Sequence, residues 1–79
     1  MEQEKLERLF REVFENEMLE VNDSLSPETL TDWDSFHQVK LLIALQEEFG
    51  VAFSTEEALT LTSVGKIRQS LVTKGILKN

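Results

Sequence analysis

The sequence predicts a small all-α bundle of three main helices plus one short helix, in a single domain spanning residues 1–79. Three observations support this fold class. Apolar residues recur at helical spacing, no segment alternates like a half-buried strand, and 41% apolar residues in 79 positions suffice for one small core. A chain of this size buries only about 60% of the surface that its unfolded form exposes. It therefore has no room for a deep active-site cleft.

The first helix is predicted from about Glu2 to Glu17. Its apolar residues recur at i, i+3, i+4, i+7 and i+8, the stripe of an amphipathic helix. They are Leu6, Leu9, Phe10, Val13 and Phe14. Residues 18–34 lose this period and contain turn-forming residues around Pro27. Apolar residues spaced through this long loop predict that it lies on the core: Leu25, Leu30 and Trp33.

The second helix is predicted to run from Ser35 to Phe49, where Gly50 can take the left-handed conformation that ends a helix. Its centre, residues 41–45, is apolar on all sides, which is typical of a central helix packed by several neighbours.

Two helix starts are predicted in the last third of the chain. Ser54 or Thr55 is expected to cap a single helical turn. Thr62 is expected to cap a last helix that ends near Gly75 and contains the core residues Val64, Ile67 and Leu71.

Composition argues against most catalytic and metal sites. The chain has no cysteine, which excludes disulfides, thiolate metal sites and a cysteine nucleophile, and its single histidine, His37, makes a histidine-based metal site improbable. Asp34, Ser35 and His37 are neighbours in sequence, but side chains two positions apart on a helix do not face each other. No glycine-rich phosphate loop is present. The sequence therefore predicts neither an enzyme nor a metal site.

Charge and hydropathy limit the partners. The net charge is −7, and a nucleic-acid binder would need the opposite sign. Residues 1–34 carry eleven acidic and three basic residues, whereas residues 58–79 carry four basic residues and no acidic one. No apolar run approaches the roughly 20 residues of a membrane span, and nothing resembles a signal peptide, so a cytoplasmic protein is expected. The start at Met1 and the charged end, Lys78-Asn79, favour a free-standing protein.

The junction of the long loop and the second helix reads Asp34-Ser35-Phe36 and continues as DSFHQVKLLIALQEEFGVAF. This run resembles the acyl carrier protein family, including the carrier domains of polyketide and non-ribosomal peptide synthases, whose signature is Asp-Ser-Leu at the start of the second helix. The final TLTSVGKIRQSL is similar to the start of the family's last helix. The resemblance covers roughly residues 6–73 and includes the long first loop.

The resemblance implies a non-catalytic carrier in fatty-acid, polyketide or related biosynthesis. Ser35 would receive 4'-phosphopantetheine from coenzyme A through a phosphopantetheinyl transferase and magnesium, with Asp34 in a supporting role. The thiol of this cofactor would hold acyl or aminoacyl groups as thioesters for acyl-loading and acyl-processing enzymes, and the carrier would be a monomer. Phe36 replaces the usual leucine, and His37, Gln38 and Lys40 stand where fatty-acid carriers are acidic, which suggests a specialised carrier.

The resemblance also implies that the second helix is the docking surface. The residues expected to contact partners are Phe36, Val39, Leu42, Gln46 and Glu47. A buried Leu42 is an equally open alternative.

Without the resemblance, Ser35 has another interpretation. Ser35-x-x-Gln38 matches a capping box, which would make Ser35 a plain helix cap and the chain a small helical interaction module. Asp34 is expected to be the cap itself and also, as the resemblance implies, to help position the transferase complex. In a carrier, Ser35→Ala is expected to keep the fold, to lose about 1 kcal/mol of capping energy and to abolish loading. In an interaction module, Ser35→Asp would be tolerated. Trp33 is expected to anchor the long loop in the core rather than steer the cofactor, and His37 to be an exposed helix residue rather than a catalyst.

Overall fold

A computed structural model describes residues 2–77, and the ends at Met1 and Lys78-Asn79 lie outside the described residues. The described part contains four helices and no strand, which confirms the predicted all-α class. They are α1 (Glu2–Val13), α2 (Ser35–Phe49), the short α3 (Thr55–Thr60) and α4 (Val64–Thr73). Within residues 2–77, no helix combines the length and the apolar character that crossing a membrane requires.

The first helix ends four residues before the predicted Glu17. Glu15 adopts a left-handed conformation with φ of 51°. The N–H of Asn16 donates to the carbonyl of Arg11 at 2.9 Å, and the N–H of Glu15 donates to the carbonyl of Glu12 at 3.2 Å. This pair of hydrogen bonds is a Schellman motif, which satisfies the last carbonyls of α1 and turns the chain into the long loop.

The other helix ends lie close to their predicted positions. Gly50 has a φ of 64° and ends α2 as expected. Ser54 caps α3 in a full capping box, in which its hydroxyl accepts from the N–H of Glu57 and the Glu57 carboxylate accepts from the N–H of Ser54, both at 3.1 Å. The cap of α4 is Ser63, so the prediction of Thr62 was wrong by one residue. Thr62 and Ser63 both have a hydroxyl that can cap a helix, and the backbone conformation determines which of the two is the cap.

The core lies between α1, α2 and α4 and includes part of the long loop. Its most deeply buried residues are Leu6, Phe10, Leu41, Leu45, Leu61, Val64, Ile67 and Leu71. Leu25 and Leu30 of the loop are half-buried and pack against this core, and Trp33 is only 3% exposed. The expectation that the loop lies on the core is therefore confirmed.

The long loop is also bonded to the start of α4. The N–H groups of Val64 and Gly65 donate to the carbonyls of Leu25 and Asp23 at 2.9 and 3.1 Å. The guanidinium of Arg68 donates twice to the Asp23 carboxylate, at 2.6 and 3.0 Å, and these hydrogen bonds lower the pKa of that carboxyl. The loop thus satisfies two of the backbone donors that a helix N-terminus leaves open.

Candidate functional site

The start of α2 is capped by Asp34. Its carboxylate accepts the N–H of His37 at 2.9 Å, and its carbonyl accepts the N–H of Gln38 at 2.9 Å. The pKa of the Asp34 carboxyl is lowered, first by the hydrogen bond from the His37 backbone and then by the one from the His37 ring. The predicted capping box of Ser35 and Gln38 is therefore wrong, because Asp34 occupies the cap position and Ser35 is the first residue of the helix.

Ser35 is exposed and, as the first residue of α2, lies at the positive end of the helix dipole. Among residues 2–77, the Ser35 hydroxyl has no hydrogen-bond partner. The backbone N–H groups of Ser35 and Phe36 are likewise unpaired within that range. The side chain and two adjacent backbone donors are thus available to a group bound at this point.

His37 is half-buried rather than exposed as expected. Its ring stacks on Phe14, with centroids 5.3 Å apart and planes 14° from parallel. Its Nδ1 lies 2.9 Å from the Asp34 carboxylate. The turn after α1 places Phe14 against the start of α2, a long-range contact that helical spacing within α2 could not reveal. His37 therefore helps to hold Asp34 in its capping position.

Trp33 anchors the loop in the core, as predicted. Its ring lies 5.7 Å from that of Phe10 and 5.8 Å from that of Phe14. Its indole N–H donates to the side-chain oxygen of Gln38 at 2.5 Å, and the Gln38 amide nitrogen donates to the carbonyl of Leu61 at 3.3 Å. Sequence reasoning gave Gln38 no such role. The available signal was the buried indole itself, because its N–H needs an acceptor nearby.

A groove of about 530 Å³ opens beside Ser35, between the long loop, the first turns of α2 and the α3 region. Its walls combine apolar side chains with a few polar ones. The lining residues are Pro27, Trp33, Asp34, Ser35, Gln38, Val39, Ala58, Leu59, Leu61 and Thr62. The groove joins the candidate site to an apolar surface.

The five residues predicted for docking differ in their exposure. Phe36, Val39 and Glu47 are exposed. Leu42 is half-buried and packs against the core, while the side-chain oxygen of the half-buried Gln46 accepts the N–H of Phe53 at 3.2 Å. Phe36, Val39 and Glu47 thus remain the most accessible of the five, and docking itself stays a prediction.

The apolar centre of α2, residues 41–45, predicts a buried Ile43, but this side chain is 51% exposed. It continues the exposed residues Phe36 (67%) and Val39 (56%) along one face of α2, at i, i+3 and i+7. We call these three residues the apolar stripe. Leu59, 75% exposed, adds apolar surface on the α3 side of the groove. The spacing from Phe36 could have identified the stripe, had the centre of α2 not been interpreted as buried on all sides.

No protein-family model matches the sequence, and no curated protein is similar to it. Among solved structures, one from Mycobacterium tuberculosis named "a putative acyl carrier protein" superposes on this chain with a TM-score of 0.80. The two sequences are 18% identical, and the match covers 90% of this chain and 95% of that chain. At this level of identity the likeness concerns the fold, and the chain therefore has an acyl-carrier-like helical fold.

Proposed function

We propose that this chain is an acyl carrier protein and that Ser35 carries 4'-phosphopantetheine transferred from coenzyme A. One observation supports this most directly: in an acyl-carrier-like fold, the serine at the start of α2 is exposed and its hydroxyl is not used as a cap. Because Asp34 caps α2, Ser35 has no structural task that would account for a hydroxyl there. The resemblance of the surrounding sequence to the family agrees with this position.

The residues at the start of α2 fit a phosphodiester. Its negative charge would lie at the positive end of the helix dipole, next to the unpaired N–H groups of Ser35 and Phe36. The nearby Asp34 carboxylate is turned toward His37, which limits its repulsion of a second anion. When bound, the cofactor supplies a thiol on a long arm, on which acyl groups are held as thioesters. The sequence has no cysteine, so that thiol would be the only one.

Under this proposal the chain is a substrate of its partners rather than an enzyme. The bond between the Ser35 oxygen and phosphorus forms as the pyrophosphate bond of coenzyme A breaks, and adenosine 3',5'-bisphosphate leaves. The transferase, with magnesium, takes up the serine proton. Asp34 fixes the helix start for that enzyme. Acyl-loading and acyl-processing enzymes of fatty-acid, polyketide or related biosynthesis in the cytoplasm would then dock beside the arm, on Phe36, Val39 and neighbouring exposed residues.

The test is intact-mass measurement after incubation with coenzyme A, magnesium and a broad-specificity phosphopantetheinyl transferase. We expect the wild type to gain the mass of one phosphopantetheine, and Ser35→Ala to gain nothing. Ser54→Ala is the matched control, because Ser54 also is an exposed serine at a helix start. It should be modified like the wild type.

Two results would contradict the proposal. Modification that persists in Ser35→Ala would move the attachment to another residue. An unmodified wild type, with the transferase active on a known carrier, would favour a helical interaction module, for which the exposed apolar stripe of α2 is the supporting observation.

A further inference from the structure

The side chain of Gln38 lines the groove beside Ser35, together with Trp33 and Leu61. The side-chain oxygen accepts the indole N–H of Trp33, and the amide nitrogen donates to the carbonyl of Leu61. Gln38 thereby connects the long loop, α2 and the residue that follows α3. We call this pair of hydrogen bonds the Gln38 clasp. A glutamine amide can satisfy both a donor and an acceptor in this way, which a leucine of similar size could not.

The clasp joins two buried residues that line the groove. Trp33 and Leu61 are 3% and 2% exposed, so each depends on the Gln38 side chain rather than on water for its hydrogen bond. A chain that entered between them would leave a buried donor and a buried acceptor unpaired, and such groups are costly. Beneath the clasp the rings of Phe10 and Phe14 pack against Trp33 at 5.7 and 5.8 Å, and these rings already fill the space.

The groove above the clasp has an apolar surface of its own. Val39 of α2 and Ala58 and Leu59 of α3 line it, and Leu59 remains 75% exposed. An apolar group lying there is covered on one side only. A short acyl group would bury most of its apolar surface in such a groove. The carbons of a long saturated chain that extend past the groove would stay in water.

From these contacts we infer that Gln38 determines which cargo this carrier accepts: the clasp keeps the cargo out of the helical core, in the open groove along Val39, Ala58 and Leu59. The preferred cargo is therefore a short acyl group, presented at the surface beside the apolar stripe of α2. This inference rests on the proposed attachment at Ser35. It assigns to Gln38 a role in specificity that goes beyond attachment itself.

The test uses the NMR signal of Trp33 to report where the cargo lies. Because the chain has one tryptophan, its indole N–H gives a single assigned NMR signal. The protein is prepared with a phosphopantetheine arm that is free, acetylated or decanoylated, and intact mass verifies each form. In the wild type we expect the acetyl and decanoyl forms to give the Trp33 signal at one common position, because a cargo of either length lies in the groove that Trp33 lines while the clasp stays closed. In Gln38→Ala, the decanoyl form alone should shift it, because the shortened side chain opens the way to the core.

Gln69→Ala is the matched control, since Gln69 is an exposed glutamine on α4. It should behave like the wild type. A wild-type decanoyl form whose Trp33 signal departs from that of the wild-type acetyl form would overturn the inference. This wild-type comparison decides the question even where Gln38→Ala does not fold.

A second preparation separates this inference from the proposed function. Ser35→Cys introduces the only thiol of the chain, to which a decyl group is attached through a disulfide without any transferase. The Trp33 signal should match that of the same variant carrying an ethyl group through the disulfide, and it should move away from that position when Gln38→Ala is added. Failure of the transferase to modify the wild type would refute the attachment, while the tethered decyl chain would still measure whether the clasp excludes it. A shift with Gln38 intact would refute the clasp alone.

Discussion

Replacing Glu15 with glycine should stabilise the protein. Glu15 is exposed and has a φ of 51°, a conformation that costs an L-residue about 1–2 kcal/mol. Glycine adopts it freely, although its greater freedom in the unfolded chain takes back roughly 0.5–1 kcal/mol. Within residues 2–77 the Glu15 side chain makes no hydrogen bond or ion pair that the substitution would remove. We therefore expect the free energy of unfolding to rise by about 0.5–1 kcal/mol.

The matched control is Glu12→Gly, three residues earlier, at an exposed position inside α1. The same change of residue should there cost up to about 1 kcal/mol, because Glu12 lies in the last turn of α1, where glycine loses conformational entropy and no positive φ is relieved. Urea denaturation measures both, and a change of 1 kcal/mol moves the Tm of a domain of this size by roughly 4–8 °C. We expect the free energy of unfolding to rise in Glu15→Gly and to fall in Glu12→Gly. If Glu15→Gly lowered stability as Glu12→Gly does, α1 would continue toward Glu17 and the left-handed turn would be refuted.

Three further predictions concern the start of α2 and the loop that precedes it. Ser35→Ala should change the free energy of unfolding by less than about 0.5 kcal/mol, and a loss near the value of a helix cap in urea denaturation would contradict capping by Asp34. The pKa of Asp34 is lowered from 3.8 by its hydrogen bonds to His37, so the stability that it contributes is complete above that pH and is lost as the pH falls through the lowered pKa. The difference in stability between the wild type and Asp34→Asn, measured across an acid titration, should shrink in that window, and a constant difference would argue against the titration of Asp34. Gly65→Ala places a Cβ 3.1 Å from the Asp23 carbonyl, so the loop must shift, and a net loss of about 1 kcal/mol is expected after the gain in helix propensity; thermal unfolding with no loss would mean that this contact is looser.

The helix boundaries were predictable where a residue type forces the conformation. Gly75 ends α4 with the same pair of hydrogen bonds that ends α1: the N–H of Ile76 donates to Leu71 and that of Gly75 to Val72. After α4 the residue in the left-handed conformation is a glycine, Gly75, whereas after α1 it is a glutamate, Glu15. Because Glu15 has no preference for positive φ, helical spacing alone extended α1 too far.

The position of Ser35 at the start of α2 could be predicted, but the hydrogen bonds around it could not. Aspartate and serine are about equally good caps, so adjacent Asp34 and Ser35 leave the choice open. The turn that brings the N–H of Asp34 to the carbonyl of Asp32, at 3.0 Å, determines which of them begins the helix. The hydrogen bond from Gln38 to Leu61 could not be predicted for a different reason. Leu61 is 23 positions away in the sequence, and only the packing of the loop after α3 brings its carbonyl next to the Gln38 amide.

The first turn of α2 assigns a different neighbour to each residue because successive side chains on a helix point about 100° apart. Asp34 closes the helix end, His37 lies on Phe14 of the turn after α1, and Gln38 reaches Trp33 and Leu61. These contacts hold the backbone around Ser35 on three sides while its own side chain points to solvent. A hydroxyl held in this way is well positioned, yet no base lies within hydrogen-bond distance of it among residues 2–77. Under the proposed attachment, the transferase supplies the base, so exposed neighbours such as Phe36 are expected to affect the rate of modification through enzyme binding rather than through the chemistry of the serine.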